Sequence, residues 1–230
     1  MVETEEKIYY HGTETRRAYA IMTEGFKVGE MVHGRLLGSG LYIAQELDTA
    51  RFWSHHIVIQ CQLRPGTRIL WLHEGYDKSV LAYLKREFGR ELLEAGPQFY
   101  KAIPKNKQLT KTELITLCNY IFKTRKEKIW QYGFTPRKGK KAQYYGNSWH
   151  DLSRLREQVR RHGYDALGDR SFEDWDSDEV LVFNPARVRP ISAHRLYING
   201  DEAVTISAAI DLPELQEISA RAQLEYEEEE

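Results

Sequence analysis

Cysteine is scarce in this chain, with two among 230 residues. Cys61 sits in an alternating, strand-like run and Cys118 in a helix-like one, far apart and without metal-ligand spacing. That pattern argues against a disulfide scaffold or a thiolate metal centre, and both thiols read as reduced core residues. Long apolar runs are missing too. No stretch approaches the roughly 18 residues of a membrane span, and the acidic opening MVETEEK has neither the basic nor the apolar region of a signal peptide. A cytoplasmic protein with no membrane contact is expected. There is no internal repeat, and low complexity is confined to the last residues, EYEEEE. What remains, 41% hydrophobic and 29% charged residues, is enough for one good core with a smaller appended subdomain.

A net charge of -1 conceals a strong asymmetry. Residues 101 to 161 hold sixteen Lys and Arg against four Asp and Glu, a balance of +12 that leaves -13 for the rest of the chain. Residues 199 to 230 carry ten carboxylates and one arginine. Such a terminal run reads as a disordered, solvating tail, or as a shield for a basic surface.

Periodicity divides the chain into four stretches. Residues 1–76 read as strand, helix, loop, strand-turn-helix and two further strands, HHIVIQCQL and TRILWL, with Pro65-Gly66 turning between them. Residues 77–162 read as a helical, basic insertion. Asp77 caps a helix with Val80, Leu81, Leu84 and Phe88 on one face; a second presents Leu114, Leu117, Cys118 and Ile121; a third presents Leu152, Leu155 and Val159 before Gly163. Residues 163–198 return to short strands in YDALGD, EVLVF and VRPISAHRLYI, and residues 199–230 form the acidic tail. The fold class is α+β.

Three fragments carry residues suited to chemistry. In KIYYHGTETRRAYAIMTEGF, Thr13 reads as a helix cap and Gly25 as the helix stop, which leaves His11 and Gly12 to be explained. In GSGLYIAQELDTARFWS, Gly38 and Gly40 give a flexible turn, and a strand followed by a helix can bring the Tyr42 and Trp53 rings to opposite walls of a slot for a flat ring. In DSDEVLVFNPARVRPI, Glu179 opens an apolar strand, where a carboxylate can face a cleft. Taken singly, each has a plainer reading: a half-buried strand-end histidine, two core rings, a surface glutamate.

Taken together, the three resemble the diphtheria-toxin-like ADP-ribosyltransferases, and especially the catalytic domain of the poly(ADP-ribose) polymerases, whose signature places His, Tyr and Glu on three separate strands. YYHGT supplies His11, GSGLYIA supplies Tyr42, and SDEVLVFNPARVRPI supplies Glu179 with the family's Asn-Pro-x-x-Val continuation; IMTEGFKVG also resembles the segment that follows the family histidine. The likeness covers residues 7 to 75 and 163 to 197. It implies a pair of antiparallel β-sheets around an NAD cleft, with NAD as co-substrate and no metal. By the resemblance Glu179 bonds the nicotinamide-ribose 2'-hydroxyl and favours the developing oxocarbenium charge, as carboxylates do in glycoside cleavage. His11 bonds the adenosine ribose, Gly12 offers its backbone to the carboxamide, and Thr13 belongs to the same NAD-binding triplet. Tyr42 and Trp53 sandwich the nicotinamide, and Lys27 stands on the adenosine side or is simply an exposed lysine.

The departures narrow the expectation. Ala50 stands where the polymerases hold a serine that contacts the carboxamide, and Ser177 stands where arginine-directed toxins carry Glu or Gln. A single transfer to an acceptor other than arginine is expected, with Trp175 of the loop GDRSFEDWDSD facing that acceptor. Basic residues alternate with aromatics in FKTRKEKIWQYGFTPRKGKKAQYYGNSWH, so Arg137, Lys138, Lys140 and Lys141 are expected to grip phosphates of an RNA or DNA acceptor, preferred slightly over protein. The plainer reading is a solvated basic face that docks on the acidic tail or an acidic partner. A toxin or phage-defence effector held by an inhibitory partner protein is compatible with such an enzyme. An NAD glycohydrolase and a catalytically silent binding module are the rival functions.

Overall fold

The computed structural model describes residues 7–27, 40–51, 56–73, 75–88, 107–132, 153–169, 179–199 and 203–229. They pack as two compact units, one built from residues of 1–29, 40–69 and 172–230 and the other from residues of 70–171.

The first unit begins with β1 (Ile8–Glu14) and α1 (Thr15–Glu24). Thr13 does not cap α1. It lies inside β1 and is buried, and the cap position belongs to Glu14, whose extended backbone makes no side-chain cap bond. The strand runs two residues further than the helix signal suggests because Thr13 and Glu14 continue the ladder with Ile57 and His56. Gly25 does end the helix: its φ of 84° lies in the left-handed region and its N–H reaches the Ile21 carbonyl.

Next come β2 (Leu41–Ala44), the short α2 (Leu47–Arg51) and β3 (His56–Leu63). The unit is completed by β6 (Glu179–Val182), a 3₁₀ turn at Pro185–Arg187, β7 (Val188–Asn199), β8 (Ala203–Ile206) and α6 (Leu212–Glu229). Its six strands lie side by side in the order β6-β2-β1-β3-β7-β8, every neighbouring pair antiparallel. The expected pair of sheets is therefore one sheet here, because β1 is hydrogen-bonded along both edges. The two edges differ in extent. β1 meets β3 from Ile8↔Gln62 to Glu14↔His56, whereas its register with β2 is the single pair Tyr10↔Ala44.

Tyr9, Ile43, Ile57, Ile59, Cys61 and Val180 fill the core of this unit. The acidic tail also differs from expectation. Leu215 and Ser219, four residues apart on one face of α6, are buried, and the Ser219 hydroxyl donates to the Thr15 carbonyl of α1 (2.9 Å) and accepts from the Tyr19 N–H (3.3 Å). An apolar and small-residue stripe is enough to dock a helix whose remaining faces are charged.

The second unit holds β4 (Ile69–Leu72, which begins at the unit boundary), α3 (Lys78–Phe88), α4 (Lys111–Tyr132), α5 (Ser153–Arg161) and β5 (Ala166–Asp169), with β4 and β5 adjacent. Asp77 caps α3 as its sequence suggests: its Oδ1 accepts from the N–H groups of Ser79 and Val80, and bonds from the Ser79 hydroxyl and these amides hold the carboxyl below its ordinary value. Leu81, Leu84 and Phe88 are buried. In α4 the buried face is Leu114, Leu117, Cys118 and Phe122, with Ile121 rotated to its margin. Thr110 and Glu113 open α4 with reciprocal bonds, Glu113 N–H to Thr110 Oγ1 and Thr110 N–H to the Glu113 carboxylate. Among the described residues no helix is long and apolar enough to cross a membrane.

Candidate functional site

Strand register assembles the site within the first unit. β2 and β6 pair with Tyr42↔Leu181 and Ala44↔Glu179. Directly opposed residues share a face, as do residues two apart along a strand. Tyr42 and Glu179 therefore stand diagonally on one face of the β2–β6 pair, and Tyr10, opposite Ala44 on β1, belongs to the same row. Glu179 is half-buried at the first position of β6 while Val180, Leu181 and Val182 behind it are buried. The apolar strand anchors the carboxylate at its mouth.

Gly40 makes this pairing close. A Cβ on it would lie 2.4 Å from Leu181 Cδ1 and 2.9 Å from the Val182 carbonyl oxygen. Its glycine is thus a requirement of backbone approach between β2 and β6, not of the flexible turn suggested by the Gly-Ser-Gly spacing.

His11, next to Tyr10, alternates to the other face of β1 and meets β2 through its ring. Its Nδ1 lies 2.7 Å from the Tyr42 carbonyl oxygen. A carbonyl only accepts, so the Nδ1 carries a proton and donates it to that oxygen. The imidazole is steadied further by Phe26, buried just beyond α1, whose ring meets it edge-on at 5.1 Å between centroids. Where β1 and β2 share a single registered pair, a side chain supplies the next link between them. Phe26 is a site residue that motif reasoning missed, although EGF directly follows the helix that His11 precedes.

The other expected residues are placed as follows. Gly12 is buried in β1 between His11 and Thr13. Tyr42 is buried, so much of its ring is covered by protein. Ala50 is buried in α2. Lys27 is exposed and pairs with Glu24, which draws the Glu24 carboxyl below its ordinary value. Trp53, Trp175, Arg137, Lys138, Lys140 and Lys141 lie outside the described residues, and with them the second wall of the slot and the expected acceptor contacts.

One further side chain stands out. Gln45 follows Ala44, its amide oxygen accepts from Lys7 Nζ, and its Nε2 is buried with no partner among the described residues. A buried donor left so costs about 1–3 kcal/mol. The cysteines offer no nucleophile: burial pushes the Cys61 thiol far above its ordinary value and the Cys118 thiol up to about 12. Among the described residues no three His, Cys, Asp or Glu side chains stand together as metal ligands. The sequence matches no family model and no curated protein.

Proposed function

We propose that the first unit is an NAD-dependent mono-ADP-ribosyltransferase of the diphtheria-toxin-like class, releasing nicotinamide and passing ADP-ribose to a macromolecule, with nucleic acid favoured over protein as acceptor. The observation that carries this reading is that three sequence-distant residues are linked through β2. Glu179 and Tyr42 share a face of adjacent strands, and His11 is tied by its ring to the backbone of Tyr42.

Each residue then has a task. The bond between the nicotinamide nitrogen and the ribose carbon breaks with its electron pair leaving on nicotinamide, and positive charge develops on the sugar. Glu179 accepts a bond from the nicotinamide-ribose 2'-hydroxyl and stabilises that charge from a position where its strand holds it still. His11, with Nδ1–H committed to the Tyr42 carbonyl, turns Nε2 to a hydroxyl of the adenosine ribose. Gly12 lends its backbone to the carboxamide, and Tyr42 and Trp53 flank the ring. An acceptor nucleophile forms the new bond to the ribose carbon as nicotinamide leaves and gives up its proton to solvent. Ala50 has no hydroxyl for the carboxamide, so inhibitors that mimic nicotinamide bind weakly.

The test is incubation with NAD labelled in its adenylate portion together with whole-cell lysate, followed by nuclease or protease treatment of the labelled fraction. Label lost to nuclease supports the reading. Label lost to protease alone moves the acceptor to protein, and free ADP-ribose formed at full rate without any macromolecule makes the protein an NAD glycohydrolase.

A further inference from the structure

The first unit carries a second cluster of cations apart from the residues assigned to NAD. Ile8, Gln62 and Arg189 form one cross-strand row at the end of the sheet where β1 starts, β3 finishes and β7 starts. Lys7, Arg64, Arg187 and Arg189 all lie within two residues of that row. Arg68 follows on the far side of the Pro65-Gly66 turn, which the Thr67 hydroxyl and N–H close on the Arg64 carbonyl. Lys7, Arg64, Arg68 and Arg189 are exposed.

What distinguishes Arg64 and Arg189 is how their charges are held. Elsewhere in the unit the cations sit against carboxylates: Arg16 on Glu14 at 2.7 Å, Arg195 on Glu214 at 2.9 Å, Arg221 on Glu217 at 3.0 Å. Here Arg64 donates through Nε to the Ala186 carbonyl (2.7 Å) and Arg189 through one terminal nitrogen to the Gln62 amide oxygen (2.7 Å). Neither meets a carboxylate among the described residues. A neutral acceptor fixes the plane of a guanidinium without cancelling its charge, so the remaining N–H donors face solvent as a preset fork for phosphate. Among the described residues the carboxylates of this sheet end, Glu46, Asp48 and Glu179, belong to the β2 and β6 side, and Asp48 is taken by Arg51 at 3.8 Å.

We infer that this sheet end binds the phosphate backbone of a single-stranded nucleic acid. The exposed residues between the arginines are Pro65, Gly66 and Ala186, small or uncharged residues that bring no carboxylate against a phosphate backbone, which needs only charge and donors. β6 opens at this same end with Glu179. Four inter-strand steps separate β6 from β7, about 19 Å at the usual spacing of about 4.8 Å. A strand of a few nucleotides held by Arg64 and Arg189 therefore reaches the carboxylate with unpaired bases. The binding stands or falls without NAD; only its use in delivering an acceptor rests on the transferase reading.

The experiment is a salt titration of the full chain with a fluorescein-labelled 12-nucleotide single strand, run as RNA and as DNA, against a duplex and polyglutamate, with no NAD present. The double variant Arg64→Gln/Arg189→Gln is compared with Arg221→Gln, whose charge is already paired. Wild type binds the single strands. The double variant binds about tenfold more weakly at low salt, and its slope against the logarithm of salt is shallower by about 1.4, at about 0.7 per single-strand phosphate lost. Arg221→Gln matches wild type. In wild type, phenylglyoxal modification of Arg64 and Arg189 slows when the oligonucleotide is bound, a readout that needs no variant to fold. Overturning results are an unchanged slope in the double variant, equal loss in Arg221→Gln, no protection of the two arginines, or binding of polyglutamate or duplex in preference to the single strand.

Discussion

The two units put their buried side-chain amides to different uses. In the helical unit, Asn119 is fully buried and accepts from the His73 N–H while donating to the Gly75 carbonyl (2.9 Å). Gln158, 4% exposed, accepts from the Leu109 N–H and donates to the Lys107 carbonyl. Both amides tie irregular backbone to a helix, leaving those buried groups satisfied. In the sheet unit, His11 and Glu179 are half-buried on strands that meet at β2, and Gln45 holds a buried donor without a partner among the described residues. One pattern holds a chain together. The other leaves polar groups arranged around a strand junction, and that difference is why the candidate chemistry is assigned to the sheet unit although the helical unit is the more basic in sequence.

The sharpest way to break this comparison is Glu179→Gln, which keeps the size of the side chain and removes its charge. Nicotinamide release falls by about two to three powers of ten while NAD affinity, measured by calorimetry, changes little. Asn119→Ala, tested beside it, lowers the melting temperature and leaves the turnover of the folded fraction alone.

Leu215→Ala comes next. It empties a fully buried position on α6 and costs about 2–4 kcal/mol in urea unfolding. Because α6 is bonded to the first turn of α1 through Ser219, amide exchange in α1 rises as well. An unaltered α1 would mean that the C-terminal helix is docked without supporting the strand that carries His11.

Gln45→Leu has a smaller effect with an informative sign. Removing an unsatisfied buried donor raises stability in the absence of ligand by about 1 kcal/mol. If that donor serves the site, NAD affinity drops several-fold in the same variant, so the gain in melting temperature seen without NAD shrinks when saturating NAD is present.

The smallest effect belongs to Asp77→Ala, which speeds amide exchange at Ser79 and Val80 and leaves the sheet unit untouched. In wild type the folded carboxyl titrates below its ordinary 3.8. Its contribution is thus complete above that value and is lost as pH falls through the lower folded one. Exchange at the two amides rises only in acid.

Much of this was legible in the sequence because it depends on local rules. Asp77 before a helical period, Gly25 after one, the Asn184-Pro185 turn and the apolar runs of β3 and β6 each act within a few residues. Asn184, for example, caps its 3₁₀ turn by accepting the Ala186 N–H. The three site residues could be named one by one, but the meeting of Tyr42 and Glu179 follows from register, a pairing between segments over a hundred residues apart that no local signal encodes, and His11 is joined to them by its ring bond to the Tyr42 carbonyl. Gly40 illustrates the limit: its sequence context suggests a turn, while its reason is the Val182 carbonyl across the β2–β6 pair. Thr13 illustrates another, since a cap signal yielded to continued pairing with β3. The docking of α6 was masked by charge, because ten carboxylates dominate the composition of residues 199–230 while Leu215 and Ser219 alone make the buried stripe.

The central claim is that His11, Tyr42 and Glu179 form a site that cleaves NAD. The most direct measurement is the release of free nicotinamide from NAD labelled in that ring, by purified full-length protein, with and without added single-stranded nucleic acid. Protein-dependent release that grows when the acceptor is present and falls by about two to three powers of ten in Glu179→Gln is the expected result. Release equal to the buffer blank under both conditions, with no NAD binding by calorimetry, would contradict it.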